Sequence, residues 1–164
     1  MLLMVSATFT GMIISSFESA LTKLAALTAF IPMLMDTGGN SGSQACVSII
    51  RGISLNEIEF RDLGRVVWKE IRVSVLCGVC LAIACFAKII VVDMLLLKSE
   101  SVTYLVAFVV CATMAVTVCL AKIVGSTLPL LAKKIGFDPA VMASPFITTI
   151  VDALSLLILS LIHI

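Results

Sequence analysis

Residues 102–131 read VTYLVAFVVCATMAVTVCLAKIVGSTLPLL, thirty positions in which Lys122 is the only charged side chain. As a single α-helix this stretch would be about 45 Å long at 1.5 Å per residue, enough to cross the roughly 30 Å hydrocarbon layer of a bilayer. The rest of the chain follows the same plan. Of its 164 residues, 61% are apolar and 13% charged, with a mean hydropathy of +1.23. Soluble chains carry about 25% charged residues, so a soluble globule is excluded. Further apolar runs lie at 2–16, 24–50, 73–97 and 140–162. Backbone groups left unpaired in hydrocarbon cost several kcal/mol each, so runs joined by short connections are predicted to be helices. The expected fold is all-α: a polytopic membrane protein with five transmembrane helices.

The charges orient it. Eleven Lys and Arg stand against ten Asp and Glu, which gives no basic face for nucleic acid and implies no such partner. Arg51, Arg61, Arg65, Lys69 and Arg72 follow the second run, and Lys133 and Lys134 follow the fourth, whereas the opposite connections carry Lys23 and Lys98. Basic residues concentrate on the cytoplasmic side. The N-terminus is therefore predicted inside and the C-terminus outside the plasma membrane. Lys88 and Lys122 lie near enough to span ends to snorkel.

The connections carry their own signals. Ser54-Leu-Asn-Glu57 reads as a capping box opening a short amphipathic surface helix over 54–72, with a Glu57–Arg61 pair on its wet face. Gly136-Phe-Asp138-Pro139 supplies a stop glycine, an N-cap and a first-turn proline, and predicts where the fifth span starts. All six cysteines lie in apolar runs, where a thiol acts as a small hydrophobe. His163 is the only histidine, so no thiolate and imidazole set for zinc exists.

The informative positions are polar groups kept where lipid penalises them. Between Met35 and Ala45 run nine residues without a large apolar side chain, Asp36-Thr-Gly-Gly-Asn-Ser-Gly-Ser-Gln44. Asp36, Asn40, Gln44 and Ser48 recur at four-residue steps and form one polar stripe on a helix, while Gly38 and Gly42 let another helix approach closely. Pro32 and the Gly38-Gly39 pair weaken the helix, so a local break beside a water-filled cavity is expected. In the fifth run Ser144, Thr148 and Asp152 repeat the four-residue spacing, with Ser155 beyond and the Val141 carbonyl freed by Pro145. Counted from Pro139, Asp152 lies roughly 20 Å into the slab. An aspartate there costs at least about 2.5–3.5 kcal/mol. It is either protonated and silent, neutralised by Lys88 or Lys122, or part of a cation site, and the last reading explains the whole stripe.

Carboxylate, amide, hydroxyl and carbonyl oxygens are hard ligands suited to Mg2+, Ca2+ or Mn2+. One carboxylate is too little charge for a divalent ion, but a two-fold homodimer, the commonest closed assembly, presents two copies of Asp152. Mg2+ gives up water reluctantly, so the site is expected to hold the hydrated ion. Two charges crossing a membrane gain about 4.6 kcal/mol per 100 mV, which permits passive flow.

Pro32-Met-Leu-Met-Asp-Thr-Gly-Gly-Asn-Ser-Gly-Ser-Gln44, followed by Ile50-Arg51-Gly52, resembles the signature of the MgtE magnesium transporters and channels. Gly136-Phe-Asp-Pro139 leading into Pro145-Phe-Ile-Thr-Thr-Ile-Val-Asp152 is similar to a second stretch of that family, and the resemblance covers essentially the whole chain. It implies a homodimeric five-span pore with the ion path at the two-fold interface. Asp152 then corresponds to the pore carboxylate that holds hydrated Mg2+ and Asn40 to an asparagine nearby, with Ser144 and Thr148 at neighbouring positions and Asp36 lining the path. Set against the family, the sequence is expected to begin within the first span and to be without the cytoplasmic regulatory domains, a CBS pair included, that the resemblance implies sense intracellular Mg2+. It reads as an isolated pore domain or a minimal relative, and the surface around 54–72 and 132–138 is where regulatory parts would dock. Two other classes stand beside this reading. A metal-dependent intramembrane enzyme would turn over a lipid, and a non-conducting assembly subunit would tolerate Asp152→Asn.

Overall fold

The computed structural model describes residues 25–99, 101–140 and 145–163, together with isolated positions between Met4 and Ser15. Every regular element among them is helical: α1 Ile31–Ser54, α2 Leu63–Lys88, α3 Tyr104–Lys134 and α4 Pro145–His163. A single turn, Ala25–Thr28, precedes α1. A 3-10 turn, Phe60–Asp62, leads into α2, which continues as a π-helix over Ile89–Leu96. Two continuous helical stretches, Phe60–Leu96 and Tyr104–Lys134, are long and apolar enough to cross a membrane. The expected first span at 2–16 lies mostly outside the described residues.

Helix α1 starts where Pro32 permits it. Proline lacks an N–H and fits the first turn, and Pro32 stands there. The chain turns at Ala29–Phe30 and then runs unbroken to Ser54. The break expected near Gly38-Gly39 is thus displaced to the residues before Pro32: one glycine pair costs only about 2 kcal/mol of helix propensity, and packing along α1 outweighs it.

The connection from α1 to α2 also differs from the sequence reading. Ser54 does not open a helix but closes one, its hydroxyl donating to the Ile50 carbonyl at 2.9 Å. Asn56 takes the left-handed conformation (φ 57°), and the Glu57 and Ile58 N–H groups both donate to the Gly52 carbonyl. The reciprocal cap falls five residues later, between Glu59 and Asp62. Arg61 pairs with Glu59 at 3.1 Å rather than with Glu57. Residues 63–72 are not a separate surface helix. They are the first turns of α2, continuous with the apolar run, because nothing between Leu63 and Lys88 interrupts the helix.

At the far end of α2 the backbone widens. The Leu97 N–H donates to the Val92 carbonyl, five residues back. This spacing lets the Lys88 ammonium reach Asp93, five positions on, at 2.8 Å; in an α-helix those positions diverge by about 140°. Lys88 also lies over the Phe30 ring, 5.3 Å from its centroid, a favourable cation–π placement.

Thr103 caps α3, its hydroxyl accepting from the Val106 N–H. The helix continues through Pro129, which cannot donate to the Gly125 carbonyl. It ends in a Schellman-type turn: the Phe137 N–H returns to Ala132 and the Gly136 N–H to Lys133, with Gly136 at φ +84°, a conformation that favours glycine. Asp138 then accepts from the Ala140 N–H at 2.9 Å. Pro139 and Ala140 lie in a turn, and the described part of α4 begins at Pro145, not at Pro139 as the sequence suggested.

The helices form a bundle centred on α3, which packs against the other three, while α1 also packs on α4. One core cluster gathers Leu27, Phe30 and Leu34 at the start of α1, Cys85 and Ile89 at the end of α2, Val106 and Val110 at the start of α3, and Leu156 and Leu159 at the end of α4. Another joins Ile49 and Ile53 from the end of α1 to Val66 of α2 and Leu130 of α3. Helices α1 and α3 therefore run parallel to each other and antiparallel to α2 and α4.

Helices α1 and α3 approach closely where Gly125 meets Gly42. A methyl group on Gly125 would overlap the Gly42 carbonyl and come within 3.0 Å of Gly42 Cα, and backbone atoms cannot rotate aside. Gly125→Ala is expected to cost about 1–3 kcal/mol and to lower the thermal midpoint of the detergent-solubilised chain. Gly64→Ala, with nothing near the added methyl, serves as the control and should gain up to about 1 kcal/mol.

Candidate cation path

The seam between α1 and α4 is built on small residues. A methyl group on Gly38 would come within 2.7 Å of Val151 and Thr117 side-chain carbons, and one on Gly42 within 2.9 Å of Ile147. Along α1 from Gly38 to Gly42, the contacts on α4 move back from Ser155 and Val151 to Val151 and Ile147. This register is antiparallel. In antiparallel right-handed helices, the residue that follows a contact position turns towards the same flank on both partners. Gly39 accordingly faces Thr148, whose methyl would lie 3.4 Å from an added Cβ.

Of the predicted site residues, Thr148 and Asp152, each one residue past a contact position of α4, lie on that flank. Thr148 and Asp152 share one face of α4, and Asp36 and Asn40 one face of α1, by their four-residue spacing. Asp36, Asn40, Gln44 and Ser48 are all exposed, and Thr148 and Asp152 are half-buried. The polar stripe of α1 therefore stands on the outer surface of the single chain, and Asn40, about 200° around the helix from Gly38, points away from α4 rather than towards Asp152. Ser155 parts from this group. It is buried against Gly38 and its hydroxyl donates to the Val151 carbonyl at 2.7 Å. Ser144 and Val141 lie outside the described residues.

The two lysines within the spans are each held by a carboxylate of the described residues. Lys88 is held by Asp93, and Lys122 by Glu70 of α2 at 3.7 Å, with both side chains of the second pair about nine-tenths buried. Lys122 therefore does not snorkel: it forms a buried pair that ties α2 to α3. The sequence reading missed this pair, although Glu70 and Lys122 were each visible as a charge flanked by apolar residues.

Two more polar groups are buried on α3. The Thr113 and Thr117 hydroxyls are buried without a hydrogen-bond partner among the described residues, and the Thr117 methyl faces Gly38. An unmade buried hydrogen bond costs about 1–3 kcal/mol. Thr117→Val keeps the shape and removes the hydroxyl, so it is expected to raise stability by about 1 kcal/mol, read as a higher melting midpoint in detergent.

Residues 31–162, which hold the α1 stripe, the Gly42–Gly125 contact and the α4 carboxylate, match the model of MgtE, a divalent cation transporter. The chain belongs to the MgtE family. Curated relatives agree: the magnesium transporter MgtE of Bacillus subtilis is 35% identical over 148 residues, covering 90% of this chain and 31% of that protein. The magnesium transporter MgtE of Thermus thermophilus is 35% identical over 153 residues, covering 91% and 32% respectively. That of Enterococcus faecalis is 31% identical over 149 residues. The chain thus spans about a third of the length of these relatives. MgtE proteins are membrane transporters rather than enzymes, which sets aside the intramembrane-enzyme reading.

Proposed function

We propose that this MgtE chain forms, as a homodimer of five-span subunits, the path by which hydrated Mg2+ crosses the plasma membrane down its electrochemical gradient. The observation that supports the proposal is the exposed stripe Asp36–Asn40–Gln44–Ser48 on α1, together with the half-buried Thr148 and Asp152 on one face of α4. Hydrocarbon cannot cover such a stripe, so it must meet water, an ion or another polar surface. A second copy would bring two Asp152 carboxylates to one ion, matching its +2 charge. Asn40, Thr148, Ser144 and Asp36 would hold its water shell through oxygen, and Mg2+ usually keeps several waters. Lys133, Lys134 and the arginines of the α1–α2 connection would face the cytoplasm, with the N-terminus inside and the C-terminus outside. Cytoplasmic regulatory domains would occupy the part of longer relatives that this chain does not span. Hard-oxygen chemistry favours Mg2+ but admits Ca2+ and Mn2+.

The test is flux. The purified chain in vesicles containing a Mg2+-sensitive dye should pass Mg2+ inward under an inside-negative potassium diffusion potential, and more slowly when the potential is collapsed. Ca2+ and Mn2+ measured in parallel rank the ions. Potential-independent leakage equal to that of empty vesicles would refute the proposal.

A further inference from the structure

A second surface of the molecule is chemically distinct from the cation path. Helix α2 buries one face, with Val66, Glu70, Ser74 and Gly78 turned inward and Gly78 close against Ala115 of α3. The opposite face carries Arg65, Trp68, Lys69 and Arg72, all exposed. Their spacing of i, i+3, i+4 and i+7 places them on a single stripe. Leu76, Val79 and Ile83 continue this stripe along the helix and are 68%, 51% and 66% exposed. The face is thus basic for two turns, carries an indole among the charges, and is then apolar.

This order has a physical reading. The apolar portion of a spanning helix that is exposed on its outer side faces acyl chains. The basic portion immediately before it must then lie at headgroup depth, where tryptophan is also enriched. Among the described residues no carboxylate lies within ion-pair distance of Lys69 or Arg72, and the only one near Arg65 is Asp62 at 4.0 Å. Three cations therefore face outward at the depth of lipid phosphates. A protein partner could use the charges, but it would not explain why the same face continues without interruption into lipid-facing leucine, valine and isoleucine.

We infer that Arg65, Trp68, Lys69 and Arg72 form a binding stripe for the phosphate headgroup of anionic phospholipid. The ammonium and guanidinium groups would pair with lipid phosphate, with Trp68 packed on the glycerol region and Leu76, Val79 and Ile83 along the chains. Each Lys or Arg near an anionic bilayer surface is favoured by roughly 1 kcal/mol, so three together select anionic over zwitterionic lipid.

Trp68 is the only tryptophan in the chain, and its fluorescence reports its own lipid neighbours. The whole chain is reconstituted in phosphatidylcholine vesicles containing a fixed fraction of brominated lipid, either phosphatidylglycerol or phosphatidylcholine. Brominated phosphatidylglycerol should quench Trp68 with about fivefold or greater apparent preference, the equivalent of one such contact, falling as salt is raised. The triple variant Arg65→Gln, Lys69→Gln, Arg72→Gln should abolish the preference while leaving quenching by brominated phosphatidylcholine intact. Equal quenching of the wild-type chain by the two lipids overturns the inference. So does quenching by neither, as when another protein or a second copy covers the stripe. A preference that survives in the triple variant also overturns it.

Discussion

Cells that depend on this chain for Mg2+ should lose uptake almost completely when Asp152 is replaced by alanine. The expectation follows from charge and symmetry. If each carboxylate contributes only about 1.4 kcal/mol to holding the ion, removing it from both subunits of a dimer costs about 2.8 kcal/mol, a hundredfold loss of occupancy. Asp152→Asn separates charge from size, because asparagine keeps an oxygen ligand and a similar volume. It should lower Mg2+ flux nearly as far as alanine does, whereas Thr148→Ser, which keeps the hydroxyl, should leave most of it. Membrane insertion and yield should be unchanged, since Asp152 is half-buried on the flank of α4 and its neighbour Val151 makes the packing contact with Gly38 and Gly42. Flux by the Asp152→Asn protein at the wild-type rate would remove Asp152 from the path and revive the reading of a non-conducting assembly subunit.

The second large effect concerns stability. Glu70 and Lys122 join α2 to α3 with 9% and 11% side-chain exposure. Removing either partner leaves a buried charge uncompensated, which costs about 3–5 kcal/mol, whereas replacing both by apolar residues of similar volume is often neutral or stabilising. Glu70→Leu and Lys122→Leu should each lower the denaturant midpoint of the detergent-solubilised chain sharply, and the double variant should recover most of the loss. The cycle isolates the coupling because both residues keep their helices and change only the pair. If the two single losses simply add in the double variant, the ion pair is not what links these helices.

Much of the architecture was legible in the sequence because its signals are local. Long apolar runs specify helices wherever lipid is the solvent, and the four-residue recurrence of Asp36, Asn40, Gln44 and Ser48 specified a stripe that does emerge on one exposed face. The recurrence of Thr148 and Asp152 likewise placed them on one face of α4. What escaped was non-local. Gly38 and Gly42 were read as a GxxxG pair that lets another helix approach, and both do lie against α4, but the tight contact of Gly42 with Gly125 of α3 is one that no spacing rule connects to it. Lys122 looked like a snorkelling residue because its carboxylate lies on a different helix. The connection at 54–72 misled because Ser54-Leu-Asn-Glu57 has the composition of a cap, while the Ser54 hydroxyl turns back to the Ile50 carbonyl and the reciprocal pair forms between Glu59 and Asp62 instead.

The π-helix at Ile89–Leu96 changes the phase of α2. Turns closed by bonds to the fifth residue take in more residues than α turns, so the side chains beyond Ile89 rotate relative to those before it while the axis continues. Deleting one residue from this stretch would let the ordinary period resume. Leu95, Leu96 and Leu97 would then swing by about 100°, and Asp93 would be carried away from Lys88. The residue count between Cys85 and Leu97 thus sets which side of the bundle these three leucines occupy, and with it the angle at which the chain turns into α3.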